Sequence, residues 1–108
     1  MELLKGTLDV LILKTVSGLP MHGYGISRSL RETTGSAFQV EEGALYPALR
    51  RLEKRGLLTS QWETSDTGRQ AKFYTLTRDG ESELARSVRS WHDYVRVMAR
   101  VLGGEAAG

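Results

Sequence analysis

The spacing of apolar positions changes twice along the chain, and each change marks an element. In the first half the period is close to 3.6. Leu8, Leu11, Ile12, Thr15 and Val16 line one helical face, and Val10 and Leu13 widen the apolar surface beyond half the circumference. Such a helix is expected to be buried on two sides. Thr7 is placed to cap it, Asp9 stands in the first turn where the dipole favours an acid, and Gly18 with Pro20 ends it. MHGYGISRSLRETTG, residues 21–35, predicts a second helix with Ile26 and Leu30 on its buried side and Gly35 at its close. Its internal glycines make it weak without packing. In EEGALYPALRRLEKRG, residues 41–56, Leu45, Ala48, Leu49 and Leu52 share the buried face of a third helix closed by Gly56.

The period then falls to two. Leu58, Ser60, Trp62 and Thr64 alternate with Thr59, Gln61 and Glu63, giving a strand with one largely apolar side. SDTG, 65–68, is a turn signal, and RQAKFYTLT, 69–77, is a second strand with Tyr74 and Leu76 on one face and Phe73 on the other. Thr77 caps a last helix with Asp79 and Glu81 in its first turn. Leu84, Val88, Trp91, Val95, Met98 and Leu102 follow at alternating spacings of four and three, a seam of coiled-coil type. The predicted fold is α+β, mainly α: a winged helix-turn-helix of three helices plus a β-hairpin wing, followed by a long C-terminal dimerisation helix. Residues 1–77 form the winged helix, 78–103 the long helix of the same compact unit, and 104–108 a frayed tail.

The third helix has a second face. At 100° per residue, Tyr46, Pro47, Arg50, Arg51 and Lys54 point away from the core, with Glu53 and Arg55 at the margins. In a helix-turn-helix the second helix of the motif enters the major groove with its N-terminal residues nearest the bases. Pro47 fits a helix that starts near Gly43 or Ala44, because a proline in the first turn removes no internal hydrogen bond. The cations read equally as a solvated face paired with Glu53. Arg69 and Lys72, beside the hairpin turn where a wing reaches phosphate, favour DNA, whereas Glu41 and Glu42 near the groove-entering end oppose it.

Composition narrows the choice. The 108 residues carry a formal net charge of +2, 40% hydrophobic residues and no cysteine. One domain is expected, without disulfides or thiolate metal sites, in the cytoplasm. The apolar run at Leu8–Leu13 is too short to span a bilayer, so no membrane partner is expected. The two histidines, His22 and His92, have no carboxylate at triad or ligand spacing, so no enzyme, metal or cofactor is predicted. His22 instead suits an N-terminal polar role or a backbone hydrogen bond at the second helix. The long seam, with Leu8, Leu11 and Ile12 of the first helix, is too apolar for a monomer to expose. It predicts a two-fold homodimer presenting two recognition helices to a pseudo-palindromic operator with half-sites about one helical turn apart.

MHGYGI (21–26), EEGALYPALRRLEKRGLL (41–58) and GRQAKFYTLTRDG (68–80) resemble the PadR family of bacterial transcription regulators. The short last helix looks like the family's small branch. MELLKG with VEEGALYPALRRLE is similar to members found beside permease genes. The resemblance implies a homodimeric winged-helix repressor that dimerises through its first and last helices and contacts DNA through Tyr46, Pro47, Arg50 and Arg51 and through a wing carrying Arg69 and Lys72. It also implies a backbone contact for Tyr24, for which packing under the hairpin is the other reading. In some small members an aromatic of the last helix meets its dimer mate and lines a pocket for flat, apolar ligands. Trp91 occupies a similar place, either there or in plain interface packing. A winged helix that binds only protein is the alternative function.

Overall fold

In a computed structural model the described residues are 6–104. The first five residues of the MELLKG start and the predicted tail beyond residue 104 lie outside them. The elements are α1 (Thr7–Val16), β1 (Met21–His22), α2 (Gly23–Thr33), α3 (Glu42–Lys54), β2 (Leu58–Thr64), β3 (Gln70–Leu76) and α4 (Arg78–Leu102). This is a winged helix with a long C-terminal helix, as the periods predict.

The core forms where the apolar stripes of the first three helices converge on the root of the hairpin. Ile12, Leu13 and Val16 of α1, Ile26 and Leu30 of α2, and Leu45, Ala48, Leu49 and Leu52 of α3 are all buried. Leu57, Leu58 and Tyr74 close the core from the hairpin side, and Phe38 fills it from the loop before α3. β2 and β3 pair antiparallel from Leu58↔Leu76 to Thr64↔Gln70. The turn is closed by Ser65 N–H donating to Arg69 O at 2.7 Å, with Gly68 at φ 81. A third strand, β1, joins β3 through Met21↔Tyr74 and His22↔Phe73, giving the order β1-β3-β2.

Several local expectations change. Met21 and His22 belong to β1, so the second helix starts at Gly23 rather than at residue 21. Thr7 is the first residue of α1 and does not cap it; Gly6, at φ 86, occupies the cap position. That helix ends at Val16, where Ser17 Oγ donates to Lys14 O at 2.6 Å, and Gly18 is not in the left-handed conformation. α3 begins at Glu42, not at Gly43 or Ala44, so Pro47 sits in its second turn. The missing N–H leaves the Gly43 carbonyl without its helical partner. Gly43 is exposed, and a Cβ there would meet nothing within 4 Å, so water can take that carbonyl.

α4 is fastened to the hairpin root by its first turn. Thr77 is its N-cap: Thr77 Oγ1 accepts from Gly80 N–H at 3.0 Å and donates to Gly56 O at 2.7 Å, while Thr77 N–H donates to Leu57 O at 3.1 Å. Gly80 is glycine because a Cβ would fall 2.1 Å from Leu57 O and 2.6 Å from Leu76 Cδ1. Gly80→Ala is therefore expected to destabilise the fold by about 2–3 kcal/mol through overpacking against backbone that cannot yield. A urea midpoint equal to that of the wild type would contradict this packing.

Candidate nucleic-acid interface

The buried stripe of α3 fixes which side chains face outward. Arg50, Lys54 and Arg55 are exposed, and among the described residues none lies within ion-pair distance of a carboxylate. Arg51 also faces outward but is neutralised: its Nη2 donates to Asp9 Oδ1 on α1 at 2.8 Å. Pairing of α3's cations with Glu53, the alternative to a DNA contact, does not occur among the described residues. Glu53 turns to the hairpin instead, where it accepts from Ser60 Oγ at 2.5 Å and from Lys72 Nζ at 3.2 Å.

This arrangement clamps the wing to α3. The hydrogen bond from Ser60 is the main cause holding the Glu53 carboxyl below its ordinary value; partial burial opposes it, and Lys72 adds a hydrogen bond and a charge. Lys72, predicted as a phosphate contact, is half-buried and lies 5.6 Å from the centroid of the Tyr74 ring. Burial pushes the Tyr74 phenol above its usual value. Arg69, just before β3, is exposed and among the described residues has no carboxylate partner. The wing thus carries one outward cation and one structural cation.

The N-terminal end of α2 meets the N-terminal part of α3. His22 takes the expected polar role, its Nδ1 accepting from Gly25 N–H at 3.0 Å. Its ring lies against Phe73 edge to face, centroids 5.1 Å apart, and beside Tyr24 at 6.3 Å. Tyr24 is exposed on the second residue of α2 and does not pack under the hairpin core. Tyr46 lies over Gly23, where a Cβ would come within 2.7 Å of its Cε1. Gly23 is thus a seat for the Tyr46 ring, a role that no spacing in the sequence announces. Pro47 is half-buried beside it.

A second surface lies on α4. Ile12, expected at a dimer interface, is fully buried in the chain's own core and cannot face a partner directly. Leu8, Leu11 and Leu84 are partly buried against that core, and Val88 is half-buried. Beyond them the helix leaves the core, and Trp91, Tyr94, Val97, Met98, Val101 and Leu102 are exposed, with Val95 half-buried among them. The Trp91 and Tyr94 rings stack with centroids 5.8 Å apart. They edge an open groove of about 400 Å³ whose other walls include Thr7 and Val10 of α1 and the polar and charged Glu83, Arg86, Ser87 and Ser90 of α4. Among the described residues no helix is long and apolar enough to cross a membrane.

Comparison with known proteins agrees with the fold and with these motifs. The profile of the transcriptional regulator PadR-like family matches residues 12–86. Transcriptional regulator Rv3488 of Mycobacterium tuberculosis is 33% identical over 95 residues, 88% of this chain and 82% of that protein. The negative transcriptional regulator PadR of Bacillus subtilis is 31% identical over 64 residues, 59% of this chain and 35% of that protein. A crystal structure of a PadR family transcription regulator from hypervirulent Clostridium difficile R20291 is similar with a TM-score of 0.80 at 32% identity, covering 90% of this chain and 99% of that one. The chain belongs to the PadR-like family, a family of transcriptional regulators and not of enzymes.

The clamp has a pH signature. A carboxyl whose folded value is depressed contributes stability above its unfolded value, near 4.3, and loses it as pH falls through the folded value. Glu53→Gln is expected to cost roughly 1 kcal/mol at pH 7, because the group is partly exposed and a half-exposed pair is screened. The gap between variant and wild type should narrow in urea titrations at acid pH, below the ordinary carboxylate range. An equal gap at both pH values would show that the carboxylate charge is not what holds the wing.

Proposed function

We propose that the protein is a homodimeric, sequence-specific DNA-binding repressor that works in the cytoplasm. It would insert α3 into the major groove and lay its wing on the flanking backbone. The observation that carries this reading is the two-faced α3. One side is locked into the core, while the other presents Tyr46, Arg50, Lys54 and Arg55 with no carboxylate partner for its exposed cations among the described residues. Tyr46 and Arg50 stand nearest the bases in this geometry, Lys54 and Arg69 touch phosphate, and Tyr24 approaches the backbone from α2. Residues 1–77 form the DNA-binding part. Repression is inferred from the similarity to the negative transcriptional regulator PadR of Bacillus subtilis.

Dimerisation would use the exposed stripe of α4 with Leu8 and Leu11 of α1. A continuous face running from Val88 through Trp91, Val95 and Met98 to Leu102 is more apolar surface than a soluble monomer leaves open. Two copies bring two α3 helices to a pseudo-palindromic operator. The groove beside Trp91 and Tyr94 suits a small, flat, apolar ligand that releases the DNA. That release would run through α1. Thr7 and Val10 line the groove, and Asp9 between them holds Arg51 on α3. A ligand that shifts α1 would move the helix that reads DNA.

The test is selection of bound duplexes from a random-sequence pool, followed by titration of the enriched duplex at several salt concentrations. Enrichment of a two-fold symmetric motif is expected, with affinity falling steeply as salt rises. Arg50→Ala should weaken binding and relax specificity at one position of each half-site, at a cost of about 1–3 kcal/mol. Failure to enrich any duplex would contradict the reading and favour a module that binds only protein. Light scattering should give twice the 12.0 kDa chain mass at micromolar concentration. A monomer there would contradict the dimer.

A further inference from the structure

β2 carries an aromatic that the fold does not use. Trp62 lies on the largely apolar side of its strand, yet it is 66% exposed. With a period of two, it shares a face with Leu58, which is buried in the core, and with Ser60, which donates to Glu53 on α3. On β3 the same face carries Lys72, directly across from Trp62 and bound to the same Glu53. These contacts turn this side of the hairpin toward α3. Trp62 lies two residues, about 7 Å, beyond Ser60. It projects on the α3 side of the wing past the last contact between the two elements.

The turn beyond it carries an acid, Asp66, as well as the cation Arg69. Glu53, the nearest acid on α3, is already occupied by Ser60 and Lys72. Glu63 is the next residue along β2 and so points to the opposite face of the hairpin. Arg69 stands near the tip, and Arg50, Lys54 and Arg55 lie on α3, all without a carboxylate partner among the described residues. Among the described residues Trp62 has no aromatic or cation partner within the chain. A flat apolar ring with an N–H donor, on a wing that also carries Lys72 and Arg69, fits the C–H face of a puckered sugar in a polyanionic backbone.

We infer that Trp62 lays its indole on the deoxyribose-phosphate backbone flanking the segment that α3 reads. This inference rests on the DNA-binding reading above and adds a contact to it. An aromatic on a sugar reads no base and neutralises no phosphate, so its contribution is independent of sequence and insensitive to salt. Arg69 beside it is the opposite case, since its loss should flatten the salt dependence.

The experiment uses the full chain labelled with 5-fluorotryptophan. Its two tryptophans give two fluorine resonances, and Trp62→Phe identifies which belongs to the wing. The enriched duplex is added while an anisotropy titration of the same duplex, labelled, reports binding independently. The Trp62 resonance should shift as the duplex saturates. Trp62→Ala should bind roughly tenfold more weakly at every salt concentration, with an unchanged slope, and Trp62→Phe should recover most of that loss. Saturable binding with an unmoved Trp62 resonance would overturn the inference while leaving the DNA-binding reading intact, and it does not depend on whether Trp62→Ala folds. A resonance that moves with protein concentration alone would also overturn it, by assigning the indole to a contact between copies. Absence of any anisotropy change would remove the DNA-binding reading, and this inference with it.

Discussion

Leu45, Ala48, Leu49 and Leu52 hold α3 by one face, and the rest of the surface depends on that hold. All four are at most 1% exposed, at the meeting point of α1, α2 and the hairpin root. Close-packed interiors leave a helix held this way little freedom to rotate about its axis. The outward direction of Arg50 and Lys54 is therefore set by hydrocarbon on the opposite side. A residue-level pattern of period 3.6 becomes a surface property of the whole domain.

Charge pairing then decides which cations remain free. Arg51 is tied to Asp9 and Lys72 to Glu53, so two residues that charge alone would assign to phosphate are engaged within the chain. Pairs this exposed contribute little stability individually. Their effect is geometric: one links α1 to α3 and the other links α3 to the wing. The basic face is smaller than a count of arginines and lysines suggests, and its parts are held in fixed relation to one another.

Long, periodic features were legible in the sequence, and contacts between distant residues were not. The two strands of the hairpin, the Thr77 cap and the three stripes follow from spacing alone, whereas β3 begins at Gln70, one residue later than the pattern placed it. β1 did not, because two residues carry no period; Met21 and His22 acquire strand geometry only from their partners Tyr74 and Phe73. The start of α3 was misplaced by applying the first-turn rule to Pro47, when an exposed Gly43 lets the helix tolerate the proline one turn later. Arg51 and Asp9 are 42 positions apart, and no local pattern joins them. The alternation that put Trp62 on the same side of its strand as Leu58 was right about direction, but the strand outruns the core that covers Leu58.

α4 extends the same logic beyond the domain. Its first turn is locked to the hairpin root through Thr77 and Gly80, its middle rests on α1, and its last turns stand clear of the core in a structure 50 Å long. A rigid arm with an apolar stripe is suited to fixing the distance between two α3 helices. The most direct measurement of this account is a hydroxyl-radical footprint on the selected duplex. Two protected patches on one face of the DNA, related by two-fold symmetry and centred about one helical turn apart, are the expected result. A single unpaired patch, or protection without symmetry, would contradict a dimer that reads DNA with two copies of α3.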